Sequence, residues 1–542
     1  MKTQRCGHTL TLLALAILGA TAVAHAQTFS VKYNFGTNTG EPNNPQYEGI
    51  ITQGRDGNLY STAPGGGIGS GAMFKITPTG KLTVQHSFDA GSTPYSGLTL
   101  GTDGNFYGTT YSGGTSRLGT IFKITPSGTL AVLYNFTGSD GSTPFAPPIQ
   151  GADGNFYGTT QGGGTNSLGT VYKLTPSGKL TTLYSFDGTH GNYPYAPLVQ
   201  GTDGNFYGTT QQGGTAAYGG TVYKITPVGK LTVLYNFDTT HGSGPFGPLV
   251  QGGDGNFYGA TSSGGTKGGG VVFSITGTGK LTVLHNINGT TDGADPRAGL
   301  VQATDGNLYG VNITGGSANL GTIFSISPIK PYPYKVLYNF DGTTGANPQV
   351  TLLQHTNGIL YGDTYTGGTG PCGCGTFFGL DMKLKQFASL VSTSGKVGKT
   401  IGILGKGFTG TTGVSFNGSA ATFKVVSDTY LTATISNLAS TGFVNVKTPG
   451  GTLTSNKQFR VTPFIISFSP NSGPVGTPVK ISGSSFTGAT KVTFSGVKAT
   501  TFSVDSDMQI TANVPTAAKT GKIAITTPGG TATSKNVFTV TQ

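Results

Sequence analysis

Apolar and polar residues alternate in short runs along most of this chain, and the runs are cut by clusters of Gly, Asn, Asp, Pro and Thr. Alternation at period two is the mark of half-buried β-strands, and no stretch shows the 3.6-residue period of an amphipathic helix. Residues 196–246 serve as a worked unit. Pro197-Leu198-Val199-Gln200 reads as a short first strand and Gly201-Thr202-Asp203-Gly204 as a tight turn. Residues 205–210 form a second strand, Gly213-Gly214-Thr215 opens a loop, and residues 220–226 form a third strand. Thr226-Pro227-Val228-Gly229 fits a type I turn, with proline presetting φ at its second position. Residues 230–237 form the fourth strand.

This unit recurs. Its clearest phrase, Asp153-Gly154-Asn155-Phe156-Tyr157-Gly158-Thr159-Thr160, returns with leading residues Asp56, Asp103, Asp153, Asp203, Asp254, Asp305 and, altered, Asn357. The spacings are 47, 50, 50, 51, 51 and 52 residues. Four short antiparallel strands at such a period are the content of a propeller blade. The expected fold is all-β: a seven-bladed β-propeller over residues 27–384, followed by two immunoglobulin-like β-sandwiches over 385–463 and 464–542. Tyr60, Tyr107, Tyr157, Tyr207, Tyr258, Tyr309 and Tyr361 share one register of the second strand, and Phe106, Phe156, Phe206 and Phe257 point to its other face. Both sets are therefore expected between blades, each buried ring contributing about 1.5–3 kcal/mol. Val31-Lys32-Tyr33-Asn34-Phe35 matches a fourth strand but precedes any first strand. It is predicted to pair with residues 375–380 and close the last blade, with residues 386–391 as the competing choice.

The tail repeats itself at an offset of 78 residues, moving to 79 near the end. Gly405-Lys406-Gly407-Phe408-Thr409-Gly410 matches Gly483-Ser484-Ser485-Phe486-Thr487-Gly488, and Thr448-Pro449-Gly450-Gly451 matches Thr527-Pro528-Gly529-Gly530. Each copy is long enough for a small sandwich. The run Ile466-Ser467-Phe468-Ser469-Pro470-Asn471-Ser472-Gly473, followed by Val475-Gly476, Ile481-Ser482-Gly483 and Phe486, resembles IPT/TIG domains; the first copy has Ser392-Thr393 where Ser-Pro stands in the second. The upstream phrases Asp-Gly-Asn-Phe-Tyr-Gly-Thr-Thr, Gly-Thr-Val-Tyr-Lys-Leu-Thr-Pro and Leu-Tyr-Ser-Phe resemble the GloVer-type repeat of exported bacterial proteins with varied C-terminal anchors. That resemblance implies a surface or extracellular life and no set activity. IPT/TIG modules imply partner binding or spacer duty.

The first residues agree with export. Lys2 and Arg5 precede an apolar run over residues 10–24, and Ala24-His25-Ala26 has the small-x-small form of a signal-peptide cleavage site, so residues 1–26 read as a leader. No later run reaches the roughly 18 apolar residues of a membrane span. Glycine, at 93 residues, falls at turns rather than in a featureless tract. Charge is uneven: residues 27–384 hold 16 Lys+Arg against 17 Asp+Glu, and residues 385–542 hold 14 against 3. The basic tail is read chiefly as a solvated sandwich surface, with an anionic envelope component or a protein as its partner otherwise. Nothing resembles a nucleic-acid motif. Of the three cysteines, Cys372 and Cys374 lie beyond the leader and are expected to close a small disulfide loop.

The repeated aspartates, Asp56 to Asp305, invite a calcium reading. Each turn offers one carboxylate against the six to eight oxygens calcium takes, so they are assigned to turns and no metal is expected. His190 and His241 follow Asp187 and Asp238 in equivalent loops, without a Gly-x-Ser-x-Gly nucleophile motif, and no catalytic residue is assigned. No phosphate loop or dinucleotide fingerprint is present, so no cofactor is expected. The loops present Tyr111, Gln161, His190, Gln211, Gln212, Tyr218 and His241, a set suited to polysaccharide. The sequence thus favours a secreted or cell-surface binding or scaffold protein, the alternative being a polysaccharide hydrolase or lyase with its site on one propeller face.

Overall fold

The computed structural model describes residues 27–45, 50–216 and 219–542. The leader at 1–26 and Tyr218 lie outside the described residues. Among those described there is no α-helix, and no helix long and apolar enough to cross a membrane. Four-stranded antiparallel sheets follow one another along the chain. Sheet 3, for example, comprises Ile149–Gln150, Phe156–Thr160, Thr170–Leu174 and Leu180–Ser185. Sheets 1, 2, 4, 5 and 6 have the same order, with second strands Leu59–Ala63, Phe106–Thr110, Phe206–Thr210, Phe257–Thr261 and Leu308–Asn312.

Sheet 7 contains Leu353–Gln354, Leu360–Asp363 and Thr376–Asp381, and its fourth strand is Thr28–Asn34 from the other end of the chain. Thr28 pairs with Asp381 and Asn34 with Thr376. The competing segment is used elsewhere: Ser389–Leu390 pairs with Thr400–Leu404 in the tail. Strand Thr28–Asn34 is thus paired as the outer strand of sheet 7, and aromatic residues in it and just after it reach both neighbouring sheets. Phe29 stacks on Tyr338 of sheet 6 at 3.7 Å, and Phe35, just beyond the strand, meets Phe74 of sheet 1 edge-on at 5.5 Å.

Turn chemistry explains why the hairpins close where they do. In sheet 4, Gly204 takes φ +84° and its N–H bonds the Gly201 carbonyl at 3.0 Å. The Asp203 carboxylate accepts the Asn205 backbone N–H at 3.1 Å, the Asn205 amide at 2.7 Å and the Tyr207 hydroxyl at 2.8 Å. The same three bonds form at Asp56, Asp103, Asp153, Asp254 and Asp305. At Asn357 the bond to Tyr361 is reversed, the amide donating to the hydroxyl oxygen at 3.0 Å.

Two layers join each sheet to the next. The second-strand tyrosine of one sheet lies on the second-strand phenylalanine of its successor: Tyr60 on Phe106 at 4.4 Å, Tyr107 on Phe156 at 4.0 Å, and Tyr157 on Phe206 and Tyr207 on Phe257 at 3.9 Å. Such pairs contribute about 0.5–1.5 kcal/mol beyond their area. Closer to the turns, a first-strand glutamine accepts a backbone N–H from the preceding sheet. Gln150 takes that of Thr102, Gln200 of Ala152, Gln251 of Thr202, Gln302 of Gly253 and Gln354 of Thr304. The series comes full circle, because Gln53 of sheet 1 takes the Thr356 N–H of sheet 7 at 3.1 Å. Sheet 2 has Leu100 at this place, and there Arg55 bridges to the Thr102 carbonyl at 2.7 Å instead.

The tail forms two units of matching topology. In the second, Phe464–Ser469, Pro478–Ser484, Gln509–Asn513 and Phe502–Ser506 make one sheet, and a five-stranded sheet packs against it around Val479, Ile481, Phe486, Phe494, Ile510 and Phe538. In the first, the long strand Ser419–Ser427 runs from one sheet into the other, so its strands join into one continuous seven-stranded sheet. Its core is built on Ile403, Phe408, Phe416, Leu431 and Phe459.

Candidate aromatic binding site

Antiparallel order puts the turns between first and second and between third and fourth strands at one end of every sheet. The loops between second and third strands, and the connections to the next sheet, lie at the other end. The first tail unit occupies the turn end. Arg55 of sheet 1 lies over the Tyr430 ring at 4.6 Å and its carbonyl accepts the Thr429 hydroxyl at 2.8 Å. Thr356 of sheet 7 donates to the Gly405 carbonyl at 3.2 Å, and buried Arg460 donates to the Gly201 carbonyl of sheet 4 at 3.1 Å.

At the loop end, each connection delivers a proline just ahead of the first strand. The residues following those prolines are Tyr95, Phe145, Tyr195, Phe246, Arg297 and Gln349. The residue before the proline is left-handed without being glycine at Thr143, Tyr193, Asp295 and Asn347, with φ of 49°, 55°, 59° and 54°. Backbone of this kind costs about 1–3 kcal/mol and persists where the surroundings over-determine it. Here Thr143 is held from both sides: its N–H bonds the Leu118 carbonyl and its carbonyl takes the Gln161 N–H.

The strained turns line up an aromatic arc. Tyr95 stacks on Phe145 at 5.3 Å, Phe145 meets Tyr195 edge-on at 4.9 Å, and Tyr195 stacks on Phe246 at 4.4 Å. Tyr111 packs edge-on against both Tyr95 and Phe145. Arg297 ends the arc, its guanidinium 5.7 Å from the Phe246 ring and doubly bonded to Asp295 at 2.9 Å. Together with Gln211 these residues line an open depression of about 320 Å³. That is the small end of the range for small-molecule sites, about 300–1,000 Å³. Tyr95, Tyr111, Phe145 and Tyr195 are half-buried and Phe246 is buried. No carboxylate lines it among the described residues.

Of the residues singled out in the sequence, Tyr111 and Gln211 line this depression. Gln161 stands behind it, its amide donating to the Tyr195 hydroxyl at 2.6 Å. Gln212 bonds through its backbone to Asn192 in the same rim. His190 and His241 lie in the connections that carry Tyr195 and Phe246 but do not line the depression; their rings bond Asp187 at 2.7 Å and Asp238 at 2.8 Å. Burial opposes ionisation of Asp187, but bonds from the His190 backbone and ring outweigh it and hold the carboxyl below its usual range. Cys372 and Cys374 are bonded to each other in the sheet 7 loop. The arc residues Tyr95, Phe145, Tyr195, Phe246 and Arg297 were missed. Their signal was the residue after the proline of each unit, aromatic in four successive copies.

Comparison with known proteins adds the family. No curated protein matches the chain. A fungal alcohol oxidase of the AA5 family, solved with copper, aligns over 78% of this chain and 98% of its own at 13% identity, with a TM-score of 0.46. The SGBP-B protein from a complex xyloglucan utilization locus in Bacteroides uniformis aligns over 28% of this chain and 48% of its own at 21% identity, with a TM-score of 0.15. The surface glycan-binding protein PbSGBP-B from Prevotella bryantii aligns over 29% and 39% at 18% identity, with a TM-score of 0.21. Likenesses this distant decide nothing about this chain. The family models do: an IPT/TIG domain matches residues 463–540, and a repeat model matches three overlapping stretches, 20–151, 129–301 and 203–426. The chain belongs to the Gloeobacter/Verrucomicrobia repeat family and ends in an IPT/TIG domain.

Proposed function

We propose that this chain is an exported, surface-displayed glycan-binding protein. In this reading residues 1–26 are its leader, residues 27–384 a seven-bladed propeller, and residues 385–463 and 464–542 two sandwiches serving as spacer or envelope-binding module. Two observations support the propeller: the glutamine series runs from sheet to sheet back to its start, and the chain's first strand completes its last sheet. The aromatic arc carries the function. Sugar rings present C–H faces to aromatic rings and hydroxyls to polar neighbours, and the depression offers Tyr95, Phe145, Tyr195 and Phe246 for the first and Tyr111, Gln211 and Arg297 for the second. Bonding to Asp295 limits the guanidinium's free charge, which suits a neutral glycan better than a densely anionic one.

The test is a panel of immobilised polysaccharides probed with the full chain and with Phe145→Ala and Tyr195→Ala, with release of reducing ends and unsaturated products followed in parallel. Wild type should retain a glycan without consuming it, and each variant should lose at least about tenfold in affinity with its melting curve little changed. Retention by the variants equal to wild type, or turnover of the glycan, would overturn the proposal.

A further inference from the structure

The connections between sheets are not all alike. Counted from the residue at the place of Phe35 (Phe88, Phe136, Ile287 and their equivalents) to the proline, most have seven or eight residues between, as in 137–143 or 288–295, whereas that from sheet 1 to sheet 2 has five, 89–93. In the longer connections a glycine presses on a second-strand side chain. A Cβ on Gly141, Gly191, Gly242 or Gly345 would fall 2.2–2.6 Å from the Oγ1 of Thr160, Thr210, Thr261 or Thr364. A Cβ on Gly91, in the short connection, would meet nothing within 4 Å. Ser70 and Ser112 hold that glycine elsewhere, the Ser70 hydroxyl accepting its N–H at 2.8 Å and the Ser112 hydroxyl donating to its carbonyl at 2.7 Å.

The result is an uncovered pair of buried hydroxyls. Thr110 Oγ1 and Thr120 Oγ1 are 2.8 Å apart, and the Thr120 N–H also points to Thr110 Oγ1. In sheets 3, 4 and 7, which carry the same pair, both hydroxyl protons have acceptors: in sheet 3, Thr160 donates to the Gly162 carbonyl and Thr170 to the connection's Asp140 carbonyl. Connection carbonyls likewise accept from Thr221, Thr322 and Thr376. Between sheets 1 and 2 that carbonyl is gone, so one hydroxyl proton of the buried pair faces a cleft of about 230 Å³ with no acceptor among the described residues. Phe88, Phe122, Leu130 and Val132 make its apolar walls, and His86 and Asp89 stand with them in the lining. At the place of His86 sheets 2 and 6 carry Tyr134 and Tyr338, whose hydroxyls bond the longer connections at Asp140 and Thr344.

We propose that this cleft is a second ligand site, apart from the aromatic arc, that takes one neutral sugar unit. The occupant must bring an acceptor oxygen to the Thr110–Thr120 pair and an apolar face to Phe88 and Phe122. An ammonium brings only donors, and a carboxylate would meet Asp89; a sugar ring brings a hydroxyl oxygen and a C–H face together. The inference rests on the glycan-binding reading of the chain but uses different residues. Calorimetric titration of the full chain with single neutral monosaccharides, and separately with the polysaccharide it retains, tests it. Two variants are compared with wild type: Thr120→Val, which removes a hydroxyl from the pair while keeping its branched shape, and a chain in which Ala90 is replaced by Gly-Ser-Asp, restoring the longer connection. A monosaccharide should bind wild type, about 2–10-fold more weakly to Thr120→Val, and not at all to the lengthened chain. Phe145→Ala should leave this event intact while weakening polysaccharide binding. Equal monosaccharide binding by all chains overturns the second site. So does its absence in wild type; if polysaccharide still binds, the arc stands alone, and if neither binds, both readings fall.

Discussion

Replacing Phe35 by alanine tests whether the strand from the chain's start locks the array. Phe35 is fully buried in a cluster with Ile51, Leu59, Phe74, Tyr361 and Phe377, which belongs to sheets 1 and 7 together. Its backbone N–H bonds the Gly375 carbonyl at 3.0 Å, so the ring is fixed where the pairing with sheet 7 ends. Truncating a core phenylalanine costs about 3–5 kcal/mol. An unfolding entropy of about 2 cal/mol/K per residue, over an array of roughly 360 residues, amounts to about 0.75 kcal/mol/K. The expected fall in melting temperature is therefore about 4–7 °C for the single substitution, and more when residues 27–40 are deleted, which also removes the Phe29–Tyr338 stack and the ladder from Thr28 to Asn34. Differential scanning calorimetry of the full chain reads this directly, with exposed Thr28→Ala as a control expected to shift the melt by less than about 1 °C. Variants that melt with wild type would refute the reasoning, for the seam would then be held by other contacts.

Asp363 is buried with neither carboxylate oxygen hydrogen-bonded, at the place where Thr159 donates to the Ala196 carbonyl at 3.0 Å. Burial pushes its carboxyl well above the usual range, so the folded state loses stability as pH rises from about 4, the ordinary carboxylate value, toward the raised one. Asp363→Thr should stabilise by about 1–3 kcal/mol at pH 7 and by less at pH 4, measured as denaturant midpoints; a gain that shrinks with rising pH would contradict this. Gln53→Leu should cost about 1–3 kcal/mol because it strands the buried Thr356 N–H and removes the donor to its hydroxyl, and Gln251→Leu should cost less because water reaches its bonds; equal losses would discount the buried seam. Millimolar calcium and its chelation should both leave the melt unchanged, since the carboxylates at Asp56 to Asp305 already accept at least three donors each, and a calcium-dependent rise would show those turns to be cation sites.

Much of the fold can be read from the sequence because its turns are chemically explicit. Asp203-Gly204-Asn205 specifies a hairpin through bonds within three residues, and Tyr207 and Phe206 fall on opposite faces by alternation alone. The orphan strand at Val31 could be placed by counting strands. The arc was harder to read because Phe145 and Tyr195 sit in irregular connections, where no period says which way a ring points. Tyr111 and Gln211 were found from composition, but composition equally suggested His190 and His241, which turn to their own aspartates. The glutamines were seen only as strand ends, because their partners lie about 48 residues away in the preceding sheet. The Thr110–Thr120 cleft arises from a two-residue shortening of the connection, part of the three-residue deficit in the 47-residue spacing, whose effect depends on what the missing residues would have covered.

The first tail unit's grip on Arg55, Thr356 and Gly201 makes the two ends of the array unequal. With the turn end occupied, a tether placed anywhere beyond residue 463 pulls from the side opposite the aromatic mouth. On the glycan-binding reading proposed above, the protein would then work as a directional mount. Copies fixed by their tails would all present the arc outward, and a long polymer could be held by many of them at once, so that weak single contacts add up to durable retention.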